Sequence, residues 1–316
     1  MSIPISKLTR ESEWSFAAPW GGKGFVTDLD GPVHWIDFGG PENATPLVFV
    51  HGLGGSHLNW ALIGKAMAQG RRAVALDLRG FGLTAGTRQT TTVQANAQLL
   101  GRFLGEVVGT PAILVGNSMG GMVSVLHTHA APETVLALVL VDPALPVPRR
   151  LPDPGVAATF LVYAVPGAGE FSMRTMQARL SDAEVVDRII TLCFADPSRA
   201  DPRMLAASAA LIEGRRPIPK KEEAFLGAAR SLMRALVKPG RYVSALGGID
   251  VPVLLIHGEE DRLVPIAAAR KVSATNPSWE TAFLQGVGHT PQLETPEQTA
   301  GIITEWLARI EPRTTG

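Results

Sequence analysis

Gly116-Asn117-Ser118-Met119-Gly120 sets a serine between two glycines, the spacing of a tight turn that pushes a nucleophile outward while backbone passes close on either side. A serine hydroxyl is a weak nucleophile at neutral pH, so it requires a general base, and that base requires a carboxylate to orient it. Seven histidines are available: His34, His51, His57, His127, His129, His257 and His289. His289 stands in Gly286-Val287-Gly288-His289-Thr290-Pro291, a loop after an apolar run, and is expected at the carboxyl edge of a sheet. His51 and His257 each precede a glycine at the end of an apolar run and read as turn-shaping residues. His127 and His129, two apart on one helix, face different directions and make a poor metal pair.

Two acids end apolar runs. Asp142, followed by Pro143, reads as the holder of a turn, whereas Asp261 lies in Gly258-Glu259-Glu260-Asp261-Arg262-Leu263-Val264-Pro265, ahead of His289. The chain order Ser118, Asp261, His289 suits acyl transfer. An oxyanion would need N–H donors: Met119, at the start of a helix, and Leu53, in the loop His51-Gly52-Leu53-Gly54-Gly55-Ser56. That loop is no dinucleotide fingerprint, because His57 stands where the third glycine would be. No Gly-Lys-Ser/Thr phosphate loop occurs, and neither a cofactor nor a metal is expected.

Between these residues, short aliphatic runs alternate with longer helical patterns, as expected of a mostly parallel sheet covered by helices. The runs 47–50, 73–76, 112–115, 136–141 and 253–256 are nearly uninterrupted aliphatic segments, as strands buried on both faces should be. Ahead of them, 24–28 and 33–38 flank Asp30-Gly31, a hairpin signal that predicts an antiparallel edge. Between Ala144 and about Ala245 strand-like runs give way to helical segments joined by Pro and Gly, including the capping box Ser181-Asp182-Ala183-Glu184. The alternation resumes at Val251 and closes on a helix opened by Thr295-Pro296-Glu297-Gln298. Residues 1–143 and 246–316 are thus expected to form one split core, with 144–245 as an inserted helical cap.

The segments His51 to Gly55, Asp77 to Gly82, Gly116 to Gly121, Gly258 to Pro265 and Gly288-His289 follow one another as in the α/β-hydrolase superfamily, which the chain resembles over nearly its whole length. The resemblance implies an α/β fold: an eight-stranded, mostly parallel sheet with strand 2 antiparallel, helices on both faces, and a helical lid after strand 6. It also implies that Asp77 and Arg79 support loops and do no chemistry. Serine at 118 argues against the haloalkane dehalogenase and epoxide hydrolase branches, which use Asp there. The stretch Leu114 to Gly121 is similar to carbon–carbon hydrolases of ring-fission products, but Thr290 stands where their Trp follows the histidine, and Gly54-Gly55-Ser56 replaces their Gly-Pro-Gly.

The expected activity is that of a serine carboxylic-ester hydrolase, carboxylesterase- or lipase-like. Phe160, Tyr163 and Met173 of the apolar cap are the candidate contacts for a bulky or apolar small-molecule ester. Carbon–carbon hydrolysis, a ligand receptor, and an acyltransferase or cyclase on the same fold are the alternatives. Composition narrows the partners further. Lys plus Arg and Asp plus Glu each total 29, so no basic excess exists to hold nucleic acid or an anionic bilayer. Met1 to Trp14 carries no apolar stretch behind Lys7 and Arg10, so no secretory leader is expected, and no run is long enough to span a membrane. Cys193 is the sole cysteine, which excludes an internal disulfide and a multi-cysteine metal site and fits a reducing cytoplasm. Oligomeric state is not set by the sequence.

Overall fold

The aliphatic runs alternate between two hydrophobic cores, one on each face of a single sheet. In β4 (Leu47–Val50), Val48 and Val50 join one core while Leu47 and Phe49 join the other. In β6 (Ala112–Asn117), Ala112 and Leu114 separate from Ile113 and Val115 in the same way. This period-two division is why these strands carry no polar face. The structure, a computed structural model, describes residues 9–146 and 154–310. Outside them lie 1–8, part of the stretch read above for a leader, together with 147–153 of the expected cap and 311–316.

Nine strands form the sheet, in the order β1-β2-β3-β5-β4-β6-β7-β8-β9. The others are β1 (Thr9–Glu11), β2 (Lys23–Asp28), β3 (Pro32–Asp37), β5 (Ala73–Leu76), β7 (Val135–Val141), β8 (Val253–Gly258) and β9 (Glu280–Leu284). The expected eight strands are all present, and β3 is antiparallel to both of its neighbours. The additional strand, β1, pairs antiparallel with β2 at the edge. It is three residues long and largely exposed, so it leaves no periodic signal. The hairpin expected at Asp30-Gly31 joins β2 to β3 with both residues at positive φ, 60° and 107°.

One core is covered by α2 (Val93–Phe103), α3 (Met119–Ala130), α9 (Gly240–Gly247) and α10 (Ile266–Thr275). The other is covered by α1 (Ala61–Met67) and α12 (Pro296–Ile310), whose Trp306 and Leu307 are buried. Between β7 and β8 the described chain is helical: α4 (Pro154–Ala164), α5 (Ala168–Arg179), α6 (Asp182–Cys193), α7 (Pro202–Gly214), α8 (Lys221–Val237) and then α9. The Ser181 capping box opens α6 as the sequence predicts, its hydroxyl accepting from the Glu184 N–H and Glu184 accepting from the Ser181 N–H. A satellite core of Val186, Ile190 and Phe194 joins α6 to α7, and Leu293 from the short helix α11 (Pro291–Glu294) packs against it. At the start of α12 the Thr295 hydroxyl donates to the Pro291 carbonyl. No single helix among the described residues is long and apolar enough to cross a membrane.

Strand order fixes where chemistry can occur. β5 lies on one side of β4 and β6 on the other, so the loops that leave β4 and β6 open into the same crevice at the carboxyl edge. Pairing Val50 with Gly116, Asn117 with Val141, and Val141 with Ile256 brings the ends of β4, β6, β7 and β8 to one level.

Candidate active site

Ser118 sits at the turn between β6 and α3 with φ 53° and ψ −120°, a conformation that L-residues avoid. The flanking glycines make this turn possible. A β-carbon on Gly116 would lie 2.7 Å from the Gly120 carbonyl oxygen, and one on Gly120 would lie 2.1 Å from the Val50 carbonyl oxygen. The serine N–H is held by the Val141 carbonyl at 3.1 Å, and its own carbonyl accepts from Ala144 at 2.9 Å. Ser118 is partly exposed while Asn117 and Met119 on either side are buried. The turn therefore presents one side chain outward.

Asp261 follows β8, and the structure brings it to His289. The His289 Nδ1 lies 2.7 Å from Asp261 Oδ2, and because a carboxylate only accepts, Nδ1 carries the proton. The other oxygen, Oδ1, accepts from the N–H groups of Leu263 and Val264 at 2.8 and 3.0 Å. Burial alone would raise the Asp261 carboxyl, but the facing His289, His257 and the Val264 N–H outweigh it and hold the group below its ordinary value. Asp142 behaves in the opposite way: burial and the neighbouring Asp261 push it well above the carboxylate range. It accepts from the Gly258 N–H at 2.9 Å, which fits a turn-holding role between β7 and β8.

Asn117 ties the serine turn to the histidine loop, its Nδ2 donating to the carbonyls of Val141 at 3.0 Å and His289 at 3.2 Å. Sequence reasoning passed over this asparagine. Among the described residues no hydrogen bond joins the Ser118 hydroxyl to the His289 Nε2, a contact that often closes only around substrate. Across the crevice, Gly52 packs on Ser118 so closely that a β-carbon would lie 2.9 Å from the serine's own. The N–H groups of Leu53 and Met119 have no backbone acceptor among the described residues.

The other histidines at this edge are already committed. Leu78 donates its N–H to His51 Nε2 at 3.0 Å, so Nδ1 is the protonated nitrogen and donates to the Gly52 carbonyl at 2.8 Å. Burial pushes His51 down to about 4, which keeps it neutral. His257 Nε2 donates to the Val264 carbonyl at 2.8 Å, and burial lowers that imidazole as well. Asp77 is a hub: it accepts from His34 Nδ1, His57 Nδ1 and the N–H groups of His57 and Leu83 at 2.7 to 3.0 Å. Burial alone would raise it, but His57 and His34 hold it well below the usual range.

Two buried groupings have the composition of metal ligands, His34-His57-Asp77 and Asp142-His257-Asp261. In the first, both Nδ1 atoms already address carboxylate oxygens at hydrogen-bond length, which is how N–H donors surround an anion. In the second, the imidazole stands 3.6 and 3.7 Å from the two carboxylates, and both Asp261 oxygens are engaged elsewhere. Both groupings fit hydrogen-bonded supports for the edge loops better than metal sites.

Of the candidate substrate contacts, Phe160 and Tyr163 lie half-buried on α4. The Tyr163 ring lies 5.6 Å from that of Phe225, Phe225 lies 6.4 Å from Phe81, and Phe81 lies 5.7 Å from His51. This aromatic series runs from the helical insertion to the loop after β4, where a β-carbon on Gly54 would meet Phe225 at 3.3 Å. Phe225 of α8, not among the expected substrate contacts, is thus an aromatic residue of the insertion that touches the Leu53 loop. Met173 on α5 is buried, whereas Phe171 and Leu161 point outward, 73% and 68% exposed. Surface cavities of about 520 and 530 Å³, one beside Trp20 and Arg203 and one beside Phe171 and Arg179, include none of Ser118, Asp261 and His289.

Comparison with known proteins bears on the same residues. The chain is 30% identical over 268 residues to the dihydrolipoyllysine-residue acetyltransferase component of the acetoin cleaving system of Pseudomonas putida, covering 84% of this chain. It spans only 64% of that relative's length. It is 27% identical over 302 residues to a 2-hydroxy-6-oxononadienedioate/2-hydroxy-6-oxononatrienedioate hydrolase of Cupriavidus pinatubonensis, covering 90% of this chain and 94% of the relative. Among solved structures, a putative lipase from Acinetobacter baumannii AYE superposes with a TM-score of 0.75 at 20% identity, covering 95% and 98% of the two chains. The family model described as "Alpha/beta hydrolase family" matches residues 47–302, from the first strand of the parallel sheet through the serine turn and the histidine loop to the last helix, and the chain belongs to that family.

Proposed function

We propose that this protein is a serine hydrolase of carboxylic esters, acting on an apolar or bulky small molecule. The observation that carries the reading is the buried His289–Asp261 pair, 2.7 Å apart, at the sheet edge where the strained turn presents Ser118. In this reading the Ser118 Oγ attacks the ester carbonyl carbon while His289 Nε2 takes its proton. Asp261 fixes the tautomer and steadies the imidazolium, and the N–H groups of Leu53 and Met119 hold the oxyanion. His289 then protonates the departing alkoxide. Water, deprotonated by the same nitrogen, attacks the acyl-enzyme and releases the acid. No metal or cofactor takes part.

Residues 144–245 serve as a cap in this scheme, with Phe160, Tyr163 and Met173 on the substrate side and Phe225 joining them through its contact with Tyr163. Support for an ester substrate comes from the Leu53 and Met119 N–H groups, which have no backbone acceptor among the described residues, and from the likeness to a putative lipase. Carbon–carbon hydrolysis is the second reading, favoured by the relative from Cupriavidus pinatubonensis that aligns over nearly its full length. Turnover of p-nitrophenyl esters and fluorophosphonate labelling, both lost in Ser118→Ala, test the first reading. A preference for ring-fission dienoates over esters would replace it with the second.

A further inference from the structure

Glu294 is a carboxylate with no exposed side-chain surface, and the acyl-transfer scheme gives it no task. All of its contacts gather two distant stretches of chain. Oε2 accepts from the Gly288 N–H at 2.7 Å and from the Ala195 N–H at 3.1 Å. Oε1 accepts from the Asp196 N–H at 2.9 Å and from Arg199 Nη1 at 3.4 Å. Gly288 is the residue before His289, while Ala195 and Asp196 lie just beyond α6 in the helical insertion. The two stretches also touch directly. The His289 N–H donates to the Cys193 carbonyl at 2.6 Å. A β-carbon on Gly288 would lie 2.3 Å from that same carbonyl oxygen and 2.7 Å from the Ala195 nitrogen.

We propose that Glu294 is a positioning residue: its carboxylate clasps the 193–196 segment to the His289 loop, so that the insertion and the general base are held as one unit. A fully buried carboxylate is costly unless N–H donors surround it, and here three backbone donors and a guanidinium do so. Both oxygens are needed. Each accepts from the insertion, and Oε2 alone reaches the histidine loop. If the segment moves away from the loop, His289 loses the Cys193 carbonyl, and Glu294, left with only Gly288 of its four donors, loses the bonds that hold its carboxylate in place against the loop. The backbone that aims the imidazole at Ser118 therefore keeps its place only while 193–196 stays seated. The proposal rests on the reading of His289 as the base.

Glu294→Gln tests it with almost no change of shape. The amide replaces one acceptor oxygen with an NH₂ group that must face either Gly288 and Ala195 or Asp196 and Arg199, all of them donors. With enzyme concentration set by fluorophosphonate titration of Ser118, and well below the variant's melting temperature, kcat should fall at least about tenfold with KM changed much less. A residue that only stabilised the fold would leave kcat per titrated site at the wild-type value, and that result overturns the proposal. Should the variant not fold, amide hydrogen exchange on the wild-type protein decides. The Gly288, Ala195 and Asp196 amides should exchange with one common protection factor. Gly288 exchanging more than about a hundredfold slower than the other two would show that the segments open independently and refute the clasp. The kinetic arm presupposes the turnover that Ser118→Ala tests, whereas the exchange arm reads the clasp itself, so failure of the clasp and failure of the ester reading are told apart.

Discussion

Gly52 and Ser118 face each other across the crevice at a separation no larger residue could share: a β-carbon on Gly52 would lie 2.9 Å from that of Ser118. The loop carrying Leu53 and the serine turn are therefore set against one another, backbone to side chain. Gly52→Ala should push them apart by a few tenths of an ångström and lower kcat/KM on p-nitrophenyl esters by about 10- to 100-fold. Because the contact is local, the melting temperature should fall only slightly. Wild-type kcat/KM in this variant would mean that the Leu53 loop has no part in placing the reacting atoms.

The strained serine turn carries a second expectation. At φ 53° and ψ −120° Ser118 pays a backbone penalty of about 1 to 3 kcal/mol that glycine would largely escape. Ser118→Gly should therefore be inactive and more stable than the wild type in urea unfolding. Ser118→Ala, with the strain retained, should lose activity by roughly 10⁴- to 10⁶-fold at nearly unchanged stability. Equal stability of the two variants would show that the turn stores no strain.

Acid should weaken the fold through His51. Burial pushes this imidazole from its ordinary 6.5 down to about 4, so the unfolded chain binds a proton that the folded protein refuses. The stabilisation from a neutral His51 is complete above pH 6.5, declines as pH falls, and is gone below about 4, a loss of roughly 3 kcal/mol across that window. His51→Gln, whose amide oxygen can accept from Leu78, has nothing to titrate. Thermal melts from pH 7 to 4 should show a shallower decline in the variant, and parallel curves would refute this assignment.

Cys193 offers a chemical readout. Burial, with the Asp261, Asp142 and Glu294 carboxyls nearby, pushes its thiol up to about 12. Thiolate is the reactive form, so at pH 8 iodoacetamide should alkylate the native protein at least about a hundredfold more slowly than the urea-unfolded chain. Cys193→Ser should retain activity, because it is the Cys193 carbonyl, not the sulfur, that holds the His289 N–H. Rapid alkylation of the folded protein would place the thiol in a more open setting.

The helical insertion has its own staple. Arg230, 8% exposed, donates to both Glu170 oxygens and to the Tyr163 and Val165 carbonyls, fastening the end of α4 and the start of α5 to α8. Glu170 is held down to about 2, chiefly by its bonds to Arg230. Arg230→Met should leave four acceptor oxygens without that partner and loosen the helix that carries Tyr163. KM for a bulky ester should rise about tenfold, while KM for a p-nitrophenyl acetate too small to reach the insertion stays within about twofold. Equal effects on both esters would remove α4 from substrate contact.

Much of this site is written in short stretches of sequence. The serine turn, the strands around it, the His289 loop and the Ser181 capping box are patterns of neighbouring residues, and each forms where its residue types require. What escaped the sequence is set by distance or by brevity. β1 is too short to show an alternation. Glu294 meets Ala195 and Asp196 from 99 and 98 positions away. Phe225 reaches the Gly54 loop only because α8 folds back over the sheet edge, and Asp77 draws His34 and His57 from separate elements. Asn117 was in plain view inside the serine motif, but its bond to the His289 carbonyl spans 172 residues.

The satellite core of the insertion borrows Leu293 from α11, a short helix that follows the His289 loop in the main body of the protein. The insertion is therefore not a detachable module. A chimera that exchanged only the stretch between β7 and β8 with that of a relative would bring in a new apolar face and leave the old plug beneath it. Grafts intended to alter substrate range would have to carry the 291–294 turn as part of the transplant, even though it lies about 40 residues beyond the last helix of the exchanged segment.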